Sequence, residues 1–365
     1  MKNRTALLSI LLLSHFTCLG QETYLYKQPV ELNDGWKTGS LNSYEIDTTR
    51  IYPFFTQIQT EKNKLHSVIL IKDGKLVLEE YLNGHSAQEP HDMRSVTKSI
   101  RSLLLGIAID EGFIHSVDDP VSTYLTNPTP RKNLDPRKKD ITIKHLITMS
   151  TGLDCNDWDK KSRGQEDKVH RKKDWLQYTL DLPMINDPGE VSTYCSMGSV
   201  LAAEIISRSA GMTIEAFAQK YLFEPLGITN VRWGHTSRKK VIPSGKRVYM
   251  TSRDMAKIGL LVQQEGMWNG RRIVSKTWIE ESTTPTTTIT GIDYGYLWWT
   301  IPFKSDERIF SATLAMGNGG QYIMMFPEID LIAVFTGGAY NSEEDKLPFT
   351  IMNRIFLPAF VGENR

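Results

Sequence analysis

Cysteine is scarce in this chain, with three in 365 residues, so a small scaffold held together by many disulfides is excluded. Beyond the N-terminus there is no apolar run long enough to cross a bilayer. Excess charge of one sign is also missing: 43 basic residues face 42 acidic ones, a formal net charge of +1. Neither nucleic acid nor an anionic surface is implied as a partner. The absence of internal repeats and low-complexity tracts excludes solenoids and disordered arrays. None of the eight histidines falls in an H-E-x-x-H or Cys/His ligand spacing, and no Walker or dinucleotide-binding loop occurs. No metal and no cofactor is therefore expected.

What remains is the composition of an ordinary folded protein of about two domain-lengths, 40% hydrophobic and 23% charged. Residues 1–20 read as a secretory signal, with Lys2 and Arg4 ahead of the short apolar run "ALLSILLL" and a small-residue cleavage site at "CLG". Export to the periplasm or beyond is expected, with a mature chain beginning near Gln21. Lipid attachment at Cys18 is the weaker reading, because His15 and Phe16 are poor residues ahead of an acylated cysteine. Loss of Lys2 and Arg4 leaves 41 basic against 42 acidic residues. Basic clusters at "RKNLDPRKKD" (131–140) and "HRKKD" (170–174) are interleaved with acids and read as solvated loops. Cys155 and Cys195 survive signal removal, which leaves either one disulfide or two buried thiols open, since spacing alone does not set their Cα distance.

Along the chain, Asp47 to Gln59 reads as a short helix. "HSVILIKDGKLVLEEYLNG" (66–84) is two β-rich runs around Asp73-Gly74, a strong hairpin signal. From Arg94 to Asp110, Val96, Ile100, Leu103, Leu104 and Ile107 follow helical spacing, and Leu105 and Ile109 make the helix apolar nearly all round, hence buried. Residues 115–245 hold helical patterns such as "ITIKHLITMSTGL" (141–153) and "SMGSVLAAEIISRSAG" (196–211), separated by Pro, Gly and charged loops. The last third turns to β at "YGYLWWT" (294–300), "ATLAM" (312–316), "QYIMMF" (321–326) and "LIAVFT" (331–336), before a closing helix from about Ser342 to Phe360. These patterns predict an α/β fold, with one sheet built from both termini and a mostly helical lobe inserted. The expected division is 21–114 with 246–365 as the α/β domain and 115–245 as the insert.

The chemical signal lies in "SVTK" (95–98). Residues i and i+3 share a helical face, so Lys98 can set its amine beside the Ser95 hydroxyl, a weak nucleophile until something takes its proton. Burial on the apolar helix favours the free amine. The helix N-terminus supplies N–H groups for an oxyanion. A second S-x-x-K, Ser237 to Lys240, is followed by no apolar helix and has Pro243 three residues on; it reads as a basic loop.

Three motifs in order carry a family resemblance: "SVTK" opening a buried helix, "YCS" (194–196) about a hundred residues on, and "GNGGQ" (317–321) between late strands. The chain resembles the serine β-lactamase-like superfamily, and within it the class C branch with its penicillin-binding, esterase and amide-hydrolase relatives. The resemblance implies the β-lactamase/transpeptidase-like fold, an antiparallel sheet with flanking helices. It makes Ser95 the nucleophile, Lys98 its activating partner and Tyr194 the phenol that exchanges protons with nucleophile and leaving group. Lys98 and Tyr194 would titrate as a coupled pair. The Ser95 and Gln321 backbone N–H groups would form the oxyanion hole, with Ser196, Asn318, Gly319 and Gly320 binding substrate.

Ser196 stands where class C enzymes have asparagine, and Asn318 where lysine or histidine is common. Both departures point away from β-lactam turnover and from a substrate carboxylate at Asn318. Ser196 also suits a helix N-cap. Trp158, Tyr296, Trp298 and Trp299 are candidate pocket walls, though such aromatics more often pack in cores. The expected activity is hydrolysis of an ester, amide or peptide-like small molecule through an acyl-enzyme. The alternatives are a catalytically weak penicillin-binding or sensor module that keeps the fold, and a surface interaction protein in which the motifs are structural.

Overall fold

Local chemistry fixes the first elements. The structure, a computed structural model, describes residues 23–235, 241–305 and 307–362; the signal segment and the Ser237–Lys240 loop lie outside them. Helix α1, Thr48–Ile58, starts where the Asp47 carboxylate accepts the Thr49 N–H. Strands β1, Leu65–Lys72, and β2, Lys75–Tyr81, form the hairpin. Its two-residue turn has positive φ at both Asp73 and Gly74 (50° and 72°), as the twist of paired strands requires. Helix α2, Val96–Asp110, is buried at every position from Val96 to Ala108, which is why its sequence is apolar nearly all round.

Helix α3, Ile143–Ile147, opens with a capping box in which Thr142 and His145 satisfy each other's backbone. Helix α4, Ser196–Ser209, packs on α2 and α3. Helix α5, Ser252–Gln263, and helix α6, Lys276–Thr283, return the chain to the sheet. There follow β3 (Thr287–Ile289), β4 (Ile292–Tyr294), β5 (Trp299–Ser305), β6 (Arg308–Gly317), β7 (Gln321–Phe326) and β8 (Leu331–Gly337). The closing helical stretch runs through Leu347–Ile351, Met352–Phe356 and Leu357–Val361.

The eight strands form one antiparallel sheet in the order β2-β1-β8-β7-β6-β5-β4-β3, so the N-terminal hairpin joins strands from the last third of the chain. Every residue of β7 and β8 is buried. Alternate side chains leave opposite faces of a strand, and both faces are covered. On one side Ile323 and Ile332 meet α5 at Gly259. On the other, Phe335 packs on Phe356 and Tyr322 on Phe349. A sheet covered on both faces reads as continuous apolar runs rather than alternation. The structure corrects one expectation here, because 294–300 is not a single strand. The chain leaves the ladder after Tyr294, passes Leu297 at φ 67° and rejoins at Trp299. Leu297 is held out by donating its N–H to the Ile147 carbonyl and accepting the Ser99 hydroxyl. Among the described residues no helix is long and apolar enough to cross a membrane.

Candidate active site

The chain enters α2 through a strained residue. Arg94 has φ 48°, uncommon for a side chain with a Cβ. It is held there by donating its N–H to Asp92 Oδ1 at 3.0 Å. Burial opposes the Asp92 charge, but two hydrogen bonds from Arg247, 3.0 and 2.7 Å, outweigh it and hold the carboxyl below its usual range. This anchor presents Ser95 at the helix N-terminus. Ser95 takes the N-cap position without capping; its Oγ instead accepts a 3.0 Å hydrogen bond from Lys98 Nζ. The Lys98 side chain is almost fully buried, and its Nζ lies 4.8 Å from the centroid of the Tyr194 ring.

Tyr194 is positioned from several directions. The Thr193 N–H donates to the Met149 carbonyl, the Tyr194 carbonyl accepts the Asp157 N–H, and a disulfide joins the next residue, Cys195, to Cys155. Trp158 stacks on the Tyr194 ring at 4.9 Å with planes 4° apart, and Trp299 stands 5.9 Å away on its stretch of β5. The same strap carries Asp157. Its carboxylate accepts the N–H groups of Ser196 at 2.8 Å and Glu166 at 3.0 Å. Burial, and after it the Glu166 carboxylate, push the Asp157 carboxyl up to about 6, against the pull of Lys98 and the Ser196 hydrogen bonds.

Ser95, Lys98, Tyr194, Ser196 and Asn318 all line one open cavity of about 550 Å³, with Trp158, Trp299 and Asp157 on its wall. That volume suits a small molecule or a short peptide-like chain. Other placements differ from expectation. Gly319, Gly320 and Gln321 do not reach the cavity: β6 ends at Gly317, the turn folds 319 and 320 away, and Gln321 opens β7 with no exposed surface and its side chain bonded to Gly337. Met316, Gly317 and Asn318 line the cavity in their place. Neither the Ser95 nor the Asn318 backbone N–H donates to an acceptor among the described residues.

The Asn318 side chain pairs with Asn341, donating to its Oδ1 at 2.7 Å and accepting its N–H at 2.9 Å. Ser196 is not the N-cap of α4; Cys195 is, and Ser196 begins the helix. Trp298 is fully buried, and Tyr296 packs on Trp278. Asp157, Glu166 and His170, all at the cavity, carry no motif spacing that marks them in the sequence. The only local hint for Asp157 is its place between Cys155 and Trp158.

The chain belongs to the beta-lactamase family, whose model matches residues 59–349. It is similar to the 6-aminohexanoate-dimer hydrolase of Paenarthrobacter ureafaciens, 22% identical over 60% of this chain and 57% of that one. The match thus spans little more than half the length of that relative. Among solved structures, the octameric penicillin-binding protein homologue from Pyrococcus abyssi superposes with a TM-score of 0.65 at 20% identity, covering 87% of this chain and 78% of that one. A class C beta-lactamase superposes with a TM-score of 0.61 at 14% identity, covering 87% and 96%. The expected β-lactamase/transpeptidase-like fold is the one observed.

Proposed function

We propose that this protein is an exported serine hydrolase that cleaves an amide or ester bond of a small substrate through an acyl-enzyme on Ser95. The observation that carries the reading is one buried lysine serving two groups, with Nζ 3.0 Å from Ser95 Oγ and 4.8 Å from the Tyr194 ring centroid, inside the cavity. The Lys98–Tyr194 pair takes the Ser95 proton as Oγ attacks the substrate carbonyl carbon. The oxyanion accepts hydrogen bonds from the N–H groups of Ser95 and Asn318, the latter in the role expected of Gln321. Collapse of the tetrahedral intermediate expels the amine or alcohol, which leaves with the proton held by the pair. Water then attacks the carbonyl of the Ser95 ester and gives a proton to the same pair; as the C–O bond to Ser95 breaks, the pair returns that proton to Oγ and the acid is released.

Amide cleavage is favoured by the relative named for hydrolysis of a 6-aminohexanoate dimer. Ser196 and the Asn318–Asn341 pair stand where β-lactam-hydrolysing relatives carry asparagine and a cation, which favours a substrate outside that class, although Arg94 and Lys346 also line the cavity. The Cys155–Cys195 bond supports export, because disulfides persist in oxidising compartments.

The test is intact-mass spectrometry of the mature chain with a fluorophosphonate, a p-nitrophenyl ester, a penicillin and a linear amide dimer, beside Ser95→Ala. A mass adduct that Ser95→Ala lacks, with turnover of the ester or linear amide and little of the penicillin, is the expected result. Absence of both adduct and turnover from the wild-type protein would overturn the reading.

A further inference from the structure

A second cluster lies outside the cavity lining, where the sequence shows no ligand spacing. His66 is in β1, His85 follows β2, and His91 begins the short strand that leads to Arg94 and Ser95. The fold brings them together: the rings of His66 and His85 stack with centroids 3.5 Å apart, and His91 lies 5.2 and 5.3 Å from them. One ring nitrogen from each lies within 4.8 Å of the other two. His91 is buried, and His66 and His85 are half-buried.

The hydrogen bonding sorts the six nitrogens. His91 Nδ1 faces the Glu89 carbonyl at 3.1 Å, and His85 Nδ1 faces the Glu89 carboxylate at 2.8 Å. With those nitrogens donating, the Nε2 lone pairs of His85 and His91 are left for another partner. His91 Nε2 and His66 Nδ1 are buried with no hydrogen-bond partner among the described residues. The far side of His66 is closed, since a Cβ at Gly338 would stand 2.8 Å from His66 Nε2. Two buried imidazole nitrogens therefore lack partners, and a residue between two of the rings orients them from behind. An imidazole that gives its other N–H to a carboxylate or carbonyl is arranged as metal-ligating histidines are.

We propose that His66, His85 and His91 bind a divalent transition-metal ion of the Zn²⁺ type, through three imidazole nitrogens with water in the fourth position. An all-nitrogen donor set selects such ions over Ca²⁺ or Mg²⁺, which take oxygen. Tetrahedral Zn–N bonds of about 2.0–2.1 Å place the nitrogens about 3.4 Å apart. Closure therefore requires His85, on its exposed loop with Glu89, to rotate off the His66 ring by about an ångström. The ion does not touch Ser95. It ties the lead-in to the nucleophile to β1, at a point where His66 lies beside Gly338.

The experiment uses the tag-free mature chain, stripped with a chelator and dialysed into metal-free buffer, then titrated with Zn²⁺ and separately with Co²⁺. Bound metal is counted by plasma mass spectrometry and stability followed by thermal melting. One equivalent of Zn²⁺, a rise in Tm on binding, and visible bands of four-coordinate Co²⁺ are expected. Glu89→Gln, at a largely exposed side chain, should keep the fold and weaken Zn²⁺ binding by about 10–100-fold, and a folded His85→Ala should lose the stoichiometric ion. The proposal is overturned if the folded wild-type chain takes up no stoichiometric ion, or if His85→Ala and Glu89→Gln bind as tightly as wild type. None of these readouts depends on hydrolytic activity.

Discussion

Asp157→Asn separates the charge of this carboxylate from its shape. In the folded protein the Asp157 carboxyl is pushed from its ordinary 3.8 up to about 6, and each tenfold change in its ionisation is worth about 1.4 kcal/mol. A carboxyl raised on folding favours the folded state below its unfolded value, and that contribution is lost as pH climbs through the folded value. The whole effect is bounded at about 3 kcal/mol, of which about 2 kcal/mol falls between pH 4.5 and 7.5. Water at the open side of the cavity screens part of it, leaving about 1–2 kcal/mol. Asparagine keeps the size but never ionises. The variant should therefore gain about 1–2 kcal/mol on wild type between pH 4.5 and 7.5, whatever the offset at either pH. Urea denaturation of both proteins at the two pH values measures the double difference. A difference that stays flat, or changes in the other direction, would refute an Asp157 charge forced into a poor environment by burial and by Glu166.

Lys98→Met keeps the buried aliphatic stem and removes the amine, so kcat on a p-nitrophenyl ester should fall by about 10²–10⁴ while the melting curve moves little; Tyr194→Phe should behave alike, and steady-state kinetics of the two singles and the double should show non-additive losses if they act as one pair. Reducing the Cys155–Cys195 bond, which spans 40 residues, should cost about 3–4 kcal/mol on the loop-entropy model. It should also loosen the strap that carries Asp157 and Trp158, and calorimetry with and without reductant, followed by an activity assay, reads both effects.

The parts of the fold visible in the sequence are those fixed within a few residues. Asp73-Gly74 makes its turn by itself, the Ser95–Lys98 pair needs only one helical turn, and α2 betrays its burial by apolar residues on every face. Whatever depends on strand register or on distant segments was hidden. Gln321 was expected in the oxyanion hole because it follows the glycines. Gln321 is fully buried with its side chain bonded to Gly337, while Asn318 lines the cavity, and that placement depends on the length of the 318–320 turn. The run 294–300 has good strand composition, yet the Ile147 carbonyl and the Ser99 hydroxyl pull Leu297 off the ladder. Asp157 and the three histidines have no signature, because loops and a hairpin rather than one regular element bring them together, and so no fixed sequence spacing marks them.

The same difficulty extends into α2, where Gly106 looks like a helical defect worth about 1 kcal/mol against alanine. Packing requires it. A Cβ there would lie 2.2–2.5 Å from three atoms of the Trp278 indole, a large buried ring of α6 with little room to retreat. Overpacking of this kind costs about 1–3 kcal/mol, at or above the propensity gain. Gly106→Ala should therefore destabilise by up to about 2 kcal/mol, and a melting curve for the variant decides between the two effects. A stabilised variant would mean that Trp278 shifts freely, and that the helix carrying Ser95 and Lys98 is not held on that side by close contact with α6.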